Sequence, residues 1–561
     1  MAEIILILTG PIASGKSTLG SDLGSSFGFK VLKTNKLLKE RISETPETRG
    51  KLQQSGEDLD IQTKGTWVRD CLTRFIETLP QDARVIVDSC RIAAQIDAIR
   101  DAFGRGVFHI HLTAPDEVLK KRFNRRKKKS FKEAISYEEA KKDPTEGKVE
   151  ELALVADVVI DTARSLSDDV VVRAASALGL YGREYLRLVD VLVGGEYGSE
   201  GKGHIASYLA REYDVLVRVG GPNAGHTVFS PPYTFHMLPS GTRASEAQLL
   251  IGPGAVMGVT GLLKEIADCH VDAERLAIDP QAMIIEEQDV TWETASLVGE
   301  IASTGQGVGY ASARRIVGRG KYATSGPSIS NEKNLKKKRK ANPRVEEVAV
   351  RLAKDIKELR PFIRSTSEEL EKAFSAGKKV FLEGTQGTGL SLYHGLYPHV
   401  TSRDTTVAGC LAEAGISPNR VRKVVMVCRT YPIRVGDAPE TKNTSGPMAQ
   451  EITLKEIAKR SGISLKELNA TERTSTTKRE RRISEFDWSL IRKAATLNAP
   501  TDIALTFVDY IRVENREARR FEQLTDETIR FIEEVERVAT APVSLISTRF
   551  HSRSIIDRRA W

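Results

Sequence analysis

Hydrophobic and polar positions alternate between short apolar runs and longer amphipathic stretches, which predicts strands interleaved with helices. Ile4–Leu8, Val85–Val87, Phe108–Leu112 and the edge segment Val155–Ser165 have strand character, and Leu166–Leu180 reads as a helix closing that group. After a short charged joint, Tyr181–Arg187, strands are predicted at Val189–Val193 and Val215–Val219, with an apolar helix at Ile205–Leu209 between them. This alternation predicts an α/β fold in two parts. Residues 1–184 form a parallel sheet with flanking helices, and residues 185–561 a larger α/β domain. A length of 561 residues also favours more than one core.

Each part places a glycine-rich loop after its first strand. Gly10–Ser17 reads GPIASGKS and fits the P-loop pattern GxxxxGK[ST], with Thr18 opening a helix. Gly10 and Gly15 let the backbone wrap phosphates, Lys16 reaches the outer ones, and Ser17 offers a hydroxyl to Mg²⁺. The second loop carries Gly198, Gly201 and Gly203 around Glu200 and Lys202. The strand after it ends in a further turn, Gly220–Thr227, holding Asn223 and His226. Backbone amides reach phosphate oxygens where no side chain intervenes, and a helix N-terminus adds its dipole.

Beyond the first loop, the chain resembles the small nucleoside-monophosphate kinases. A polar-basic helix at Thr34–Ile42 stands where those enzymes bind their acceptor, and Arg49–Asp60 is similar to a segment of that group. Asp88 sits at a strand tip and is followed by Arg91. It holds a Mg²⁺-bound water, meets the acceptor, or caps the next helix. Lys120, Lys121, Arg122, Arg125 and Arg126 are either a basic lid over transferring phosphates or a solvated helix face. The resemblance implies a P-loop kinase-like fold using ATP, Mg²⁺ and a (deoxy)nucleoside monophosphate.

From Leu188 onward the chain resembles the adenylosuccinate synthetase family, at GSEGKG, GGPNAGHT, STGQGVG, the long run Glu383–Thr406, TTKRERRISEFD, LTFVD and SLISTR. That family joins L-aspartate to the 6-oxo carbon of a purine nucleotide after a nucleoside triphosphate phosphorylates the oxygen. The resemblance implies that Lys202, Gly198, Glu200, Gly201 and Gly203 bind the triphosphate, and that His226 stabilises charge on the phosphorylated oxygen. Gly225 would offer a carbonyl to Mg²⁺ near Ser199. Asn223, Thr304, Gln386 and Thr401 would contact the acceptor, with Leu390 near its base. Arg314 and Arg315 stand where the family donates an arginine across a dimer interface, Arg315 being assigned the acceptor contact. Arg479 and Arg481, with Thr476 and Thr477, would clamp the two carboxylates of aspartate, and Arg434 lies near that pocket. Asp509 would accept from guanine, yet Phe507 stands where lysine is usual, so ATP and GTP both remain open as donor. Arg549 replaces a usual glycine.

Ser199 departs from the family, whose aspartate at this position is the general base. A serine hydroxyl without an activating partner has no useful basicity near neutral pH, which puts proton abstraction from IMP in question. A serine here is similar to the phage branch of the family, which acts on dGMP. The shorter side chain leaves room for the 2-amino group of guanine and can hydrogen-bond it. The expectation is a bifunctional purine-nucleotide enzyme with dGMP as favoured acceptor. The alternatives are an IMP enzyme using another base, such as Glu200, and a nucleotide sensor without turnover.

Composition narrows the partners. The chain is 40% hydrophobic and 28% charged, with no apolar run long enough to span a bilayer and no leader-like N-terminal segment. Five scattered cysteines form no CxxC pair, which suits a reducing cytoplasm. The net charge of +9 comes from clusters at Arg122–Lys129, Lys333–Lys340 and Lys478–Arg482 with few aromatics among them. That favours anionic small molecules over nucleic acid.

Overall fold

A computed structural model describes residues 3–34, 38, 49–88, 90–127, 136–142, 144–181, 185–319, 350–438, 440–472, 481–551 and 554–561. The chain divides into two compact units, Met1–Arg183 and Glu184–Trp561, one residue before the boundary read from the sequence.

The first unit is a five-stranded parallel sheet built from β1 (Ile4–Thr9), β2 (Lys30–Lys33), β3 (Arg84–Asp88), β4 (Val107–Thr113) and β5 (Val158–Asp161). Their order is β2-β3-β1-β4-β5. β1 is apolar along its length because both faces are covered: Leu6 and Leu8 pack into one core, Ile5 and Ile7 into the other. The P-loop leaves β1 at the centre of the sheet, and its lysine opens the helix Lys16–Phe27. The helix expected at Thr34–Ile42 lies mostly outside the described residues.

The second unit holds a nine-stranded sheet. Its strands in chain order are β6 (Val189–Gly194), β7 (Val215–Arg218), β10 (Gln248–Ile251), β12 (Leu276–Ile278), β14 (Val380–Glu383), β15 (Val421–Arg429), β19 (Asp502–Thr506), β20 (Val543–Ser547) and β21 (Ile555–Asp557). They lie in the order β12-β10-β7-β14-β6-β15-β19-β20-β21, parallel except for the last pair. The small elements are the hairpin β8 (His226–Phe229) and β9 (Pro232–Phe235), the pair β11 (Val256–Met257) and β13 (Met283–Ile284), and a three-stranded sheet of β16 (Ile433–Val435), β17 (Glu451–Ile452) and β18 (Arg481–Ser484). In open parallel sheets ligands bind beyond the carboxyl ends of the strands. The segments singled out from the sequence follow β6, β7, β14 and β19 at that edge.

Candidate functional site

In the second unit, β6 delivers the chain into Gly195–Gly201. Gly198 (φ 104°) and Gly201 (φ 87°) adopt left-handed backbone there, which glycine tolerates and side chains resist. Gly201 is the N-cap of the helix Lys202–Leu209. Gly203 is needed for a different reason: a Cβ at this position would lie 2.8 Å from the Cβ of His226. The missing side chain lets the His226 strand sit against the helix.

Glu200 is almost wholly buried, and its carboxylate lies inside the loop. Oε1 accepts from the amides of Glu196 (3.0 Å) and Gly198 (2.8 Å), and Oε2 from Lys202 Nζ (2.6 Å). This occupancy bears on two readings of Glu200. A carboxylate tied to a cation and two amides has no donor for a phosphate and is poorly placed to accept a substrate proton. Its contribution to the cradle is to hold the loop in shape. Glu196, also buried, is pushed well above the usual carboxylate range by burial, with the charge of Glu200 adding to the effect.

His226 begins β8 beside a buried charge cluster. Its Nδ1 lies 2.5 Å from Glu383 Oε1, to which Arg218 Nη1 donates at 3.0 Å. The amide of Ser240 donates to Glu383 Oε2 (2.7 Å), and its hydroxyl donates to Oε1. Glu383 and Arg218 are register partners at the ends of β14 and β7. Burial works against the charge on Glu383, but Arg218, His226 and Ser240 outweigh it and hold the carboxyl at about 2. An ionised carboxylate at 2.5 Å favours the proton on Nδ1 over the competing approach of Arg218 Nη1 to the same nitrogen (3.0 Å). Burial first, then Arg218, lowers His226 to about 4, so the imidazole is neutral. Its Nε2 is buried without a hydrogen-bond partner among the described residues.

Beside this cluster opens a cleft of about 1190 Å³, including its mouth. It brings together Ser199, Asn223, Gly225, Thr304, Gln386, Leu390, Thr401, Arg434 and Arg481. Gln386, with φ 58°, donates from Nε2 to Asn223 Oδ1 at 2.9 Å, linking the loops after β14 and β7. Arg434 is buried and donates to the carbonyls of Pro447 (3.1 Å) and His399 (2.7 Å), with the Tyr197 ring 4.5 Å away. In the Ser303–Gly309 segment, the amides of Gly307, Gly309 and Tyr310 are held by Glu293. Glu293 therefore occupies the amides at the start of this helix.

Arg314 forms a buried two-point pair with Asp289 (2.8 and 2.6 Å), so it cannot reach outward. Arg315 lies outside the cleft lining, half-buried, donating to the carbonyl of Pro253 (2.8 Å). Thr476, Thr477 and Arg479 fall outside the described residues, as do Lys333–Lys340. Arg481 lines the cleft and pairs with Glu472 (2.8 Å). Asp509 gives one oxygen to Arg516 (2.9 Å), while Oδ1 has no partner among the described residues, and burial raises its carboxyl to about 6. Phe507 lies under the guanidinium of Arg429, 4.0 Å from the ring centre. The sequence reading missed Arg218, Glu383, Glu472 and Arg429 as supporting residues. Arg218 and Glu383 carried a usable signal, each being a charged residue that ends an otherwise apolar buried strand, and Arg429 ends the buried apolar stretch Val424–Cys428.

In the first unit Gly10 (φ 140°), Ala13 (φ 64°) and Gly15 (φ 107°) shape the P-loop, and Lys16 donates to the carbonyls of Gly10 (2.5 Å) and Pro11 (3.0 Å). A pocket lined by Gly15, Thr18, Arg122 and Arg125 adjoins the loop. Arg122 is fixed by donating to the hydroxyl and carbonyl of Thr162, both at 2.8 Å. The side chain of Arg126 lies outside the described residues. Asp88 ends β3, and its carbonyl accepts from Thr34 Oγ1 (3.1 Å). The following helix begins at Ala93 with Ile92 as its N-cap, which removes the capping reading of Asp88. Arg91 donates its amide to Gln95 Oε1 (2.8 Å). Ser17 follows Lys16 in the first turn of the same helix.

Both units resemble known proteins. Residues 191–515 match the family described as adenylosuccinate synthetase, and residues 6–143 match one described as AAA domain. The adenylosuccinate synthetase of Methanocaldococcus jannaschii is 37% identical over 66% of this chain and 96% of its own length. The solved adenylosuccinate synthetase of Plasmodium falciparum is 21% identical, with a TM-score of 0.53 over 66% of this chain and all of that one, and shares the fold. The cyanophage S-2L succinoaminodeoxyadenylate synthetase, solved with dGMP and with dATP as energy donor, is 25% identical. Its TM-score is 0.51, covering 67% of this chain and 96% of that one.

Proposed function

Because the chain belongs to the adenylosuccinate synthetase family through more than half its length, we propose that its second unit joins L-aspartate to the 6-position of a purine nucleotide, with dGMP as the favoured acceptor. The first unit is a P-loop kinase acting on a (deoxy)nucleoside monophosphate. The observation that carries the first reading is His226: a neutral, buried imidazole, anchored through Nδ1 by Glu383, with Nε2 unengaged among the described residues. It is packed on the helix that begins with Lys202. A polyanion in the adjoining loop favours the imidazolium. Nε2 then donates to the purine oxygen as it gains and loses the phosphoryl group, while Glu383 stabilises the cation behind it.

The charge distribution supports an anionic cosubstrate. Arg434 and Arg481 line the cleft, and the acid beside them, Glu293, is committed to backbone amides. Ser199 and Gly225 line the same cleft, and a hydroxyl and a backbone carbonyl are oxygen donors of the kind Mg²⁺ takes, its other oxygens coming from phosphate and water. The ion would supply charge neutralisation on the transferring phosphate. In the first unit Ser17 would have that role.

Ser199 supports the guanine acceptor, as does the likeness to the cyanophage enzyme solved with dGMP. Glu200, the alternative base for IMP, is committed to Lys202 and the loop amides. The test is a panel of IMP, dIMP, GMP and dGMP with ATP or GTP, read by the mass of the succinylated product. Product from dGMP is expected, and Ser199→Asp is expected to shift preference towards IMP. Rapid use of IMP with dGMP untouched overturns the acceptor assignment. Tight nucleotide binding without aspartate-dependent phosphate release would instead favour a sensor.

A further inference from the structure

Glu472 has no part in the reading above, yet it joins residues from three sides of the second unit. Its Oε1 accepts from Arg429 Nη2 and from the Tyr510 hydroxyl (2.6 Å), and its Oε2 accepts from Arg481 Nη1 (2.8 Å). The carboxylate is almost wholly buried. Two guanidiniums on one carboxylate leave an excess of positive charge. Glu196, which accepts from the Arg429 amide, does not cancel it, because burial favours its neutral form. The excess faces the cleft at Arg481, whose Nε is buried and without a hydrogen-bond partner among the described residues. On the other side, Arg429 lies on the Phe507 ring and points Nη1 at the Ser199 carbonyl, 3.5 Å away.

We propose that Glu472 is a positioning residue. It holds the Arg481 guanidinium in place in the lining of the cleft, where a carboxylate would be bound, and locks that arginine to Arg429 beside the Ser199 loop. This rests on the reading that the second unit takes aspartate. A buried carboxylate between two guanidiniums offsets their mutual repulsion and fixes their planes. Without it Arg481 keeps its charge but loses its orientation, so the loss falls on the carboxylate ligand and not on the nucleotide.

The experiment measures aspartate affinity by calorimetry on full-length protein with acceptor and non-hydrolysable triphosphate bound, alongside steady-state kinetics. Glu472→Gln is expected to weaken aspartate about tenfold or more, with acceptor KM within about twofold, and Glu472→Asp to recover part of the loss. Unchanged aspartate affinity, or equal losses for aspartate and acceptor, overturns the proposal. If Glu472→Gln fails to fold, Tyr510→Phe decides, because it removes one hydrogen bond without unpairing a charge. About threefold weaker aspartate is expected there with acceptor affinity kept, and no change overturns the proposal. Wild-type protein that binds aspartate without turnover overturns the functional reading alone, and one that never binds aspartate overturns both.

Discussion

Gly10–Lys16 and Gly194–Lys202 each leave the first strand of a sheet, and each ends on a left-handed glycine at a helix N-cap, Gly15 (φ 107°) and Gly201 (φ 87°). Each unit also keeps a histidine neutral near its lysine, His111 and His226, both lowered to about 4 with burial the largest cause. The lysines differ in what holds them. The first loop contains no acid within it, and Lys16 donates to the carbonyls of Gly10 and Pro11; the second loop contains Glu200, which meets Lys202 and two amides of the same loop. A lysine paired to a buried carboxylate is already aimed, but must share its charge with the ligand. The same strand–loop–helix geometry therefore occurs once with a glutamate inside the loop and once without an acid in it.

Removing the two lysines should separate the loops most widely. Lys202→Ala strands a buried carboxylate and is expected to cost about 3–5 kcal/mol of stability. Lys16→Ala, which removes two carbonyl contacts, is expected to cost less, while abolishing the phosphoryl transfer proposed for the first unit. Urea unfolding with fluorinated tryptophan reads the units apart, through Trp67 and Trp488. Equal costs would break the comparison.

Acid should sharpen it. His226 binds its proton in the unfolded chain near pH 6.5 but in the folded one only near 4. Stability therefore falls between those values, by on the order of 3 kcal/mol, and the limb should flatten in His226→Asn. His111 gives the first unit a fall of the same sign over the same window. Glu383, held at about 2, adds stability that is intact above about 4.5 and lost from there down to 2. The second unit should keep losing stability below pH 4 after the histidine contribution of the first has levelled. Parallel curves in that range would contradict the charge cluster at Glu383.

The smallest effect tests what the loops share. Gly15→Ala and Gly201→Ala should each cost about 1–2 kcal/mol for left-handed backbone. A new Cβ meets nothing within 4 Å at Gly15 and only ordinary contacts, at 3.6 Å or more, at Gly201. A large excess at Gly201 would mean that Phe507 and Thr506 enforce the loop sterically.

Much of the fold was legible because buried parallel strands are apolar runs of strand length, as at Ile4–Thr9 and Val189–Gly194. The cleft was legible in outline: Ser199, Asn223, Thr304, Gln386 and Thr401 were named from local motifs, and all line it. The aspartate clamp was half legible, with Arg481 in the cleft and Arg479 outside the described residues. Glu472 carried no local signal, because its partners stand at 429, 481 and 510 and meet it only through folding.

The sequence by itself determined the two-part α/β plan, both glycine–lysine loops and the substitution at Ser199, since each depends on residues close together in the chain. Only the tertiary structure decided the electrostatic state of those residues. Whether Glu200 is a base or a loop anchor, whether His226 is charged, and whether Arg314 can reach outward all turn on burial and on distant partners such as Glu383 and Asp289. A carboxylate or guanidinium has the same composition everywhere in a sequence, while its charge and reach depend on the solvent it has lost and the ion it has met.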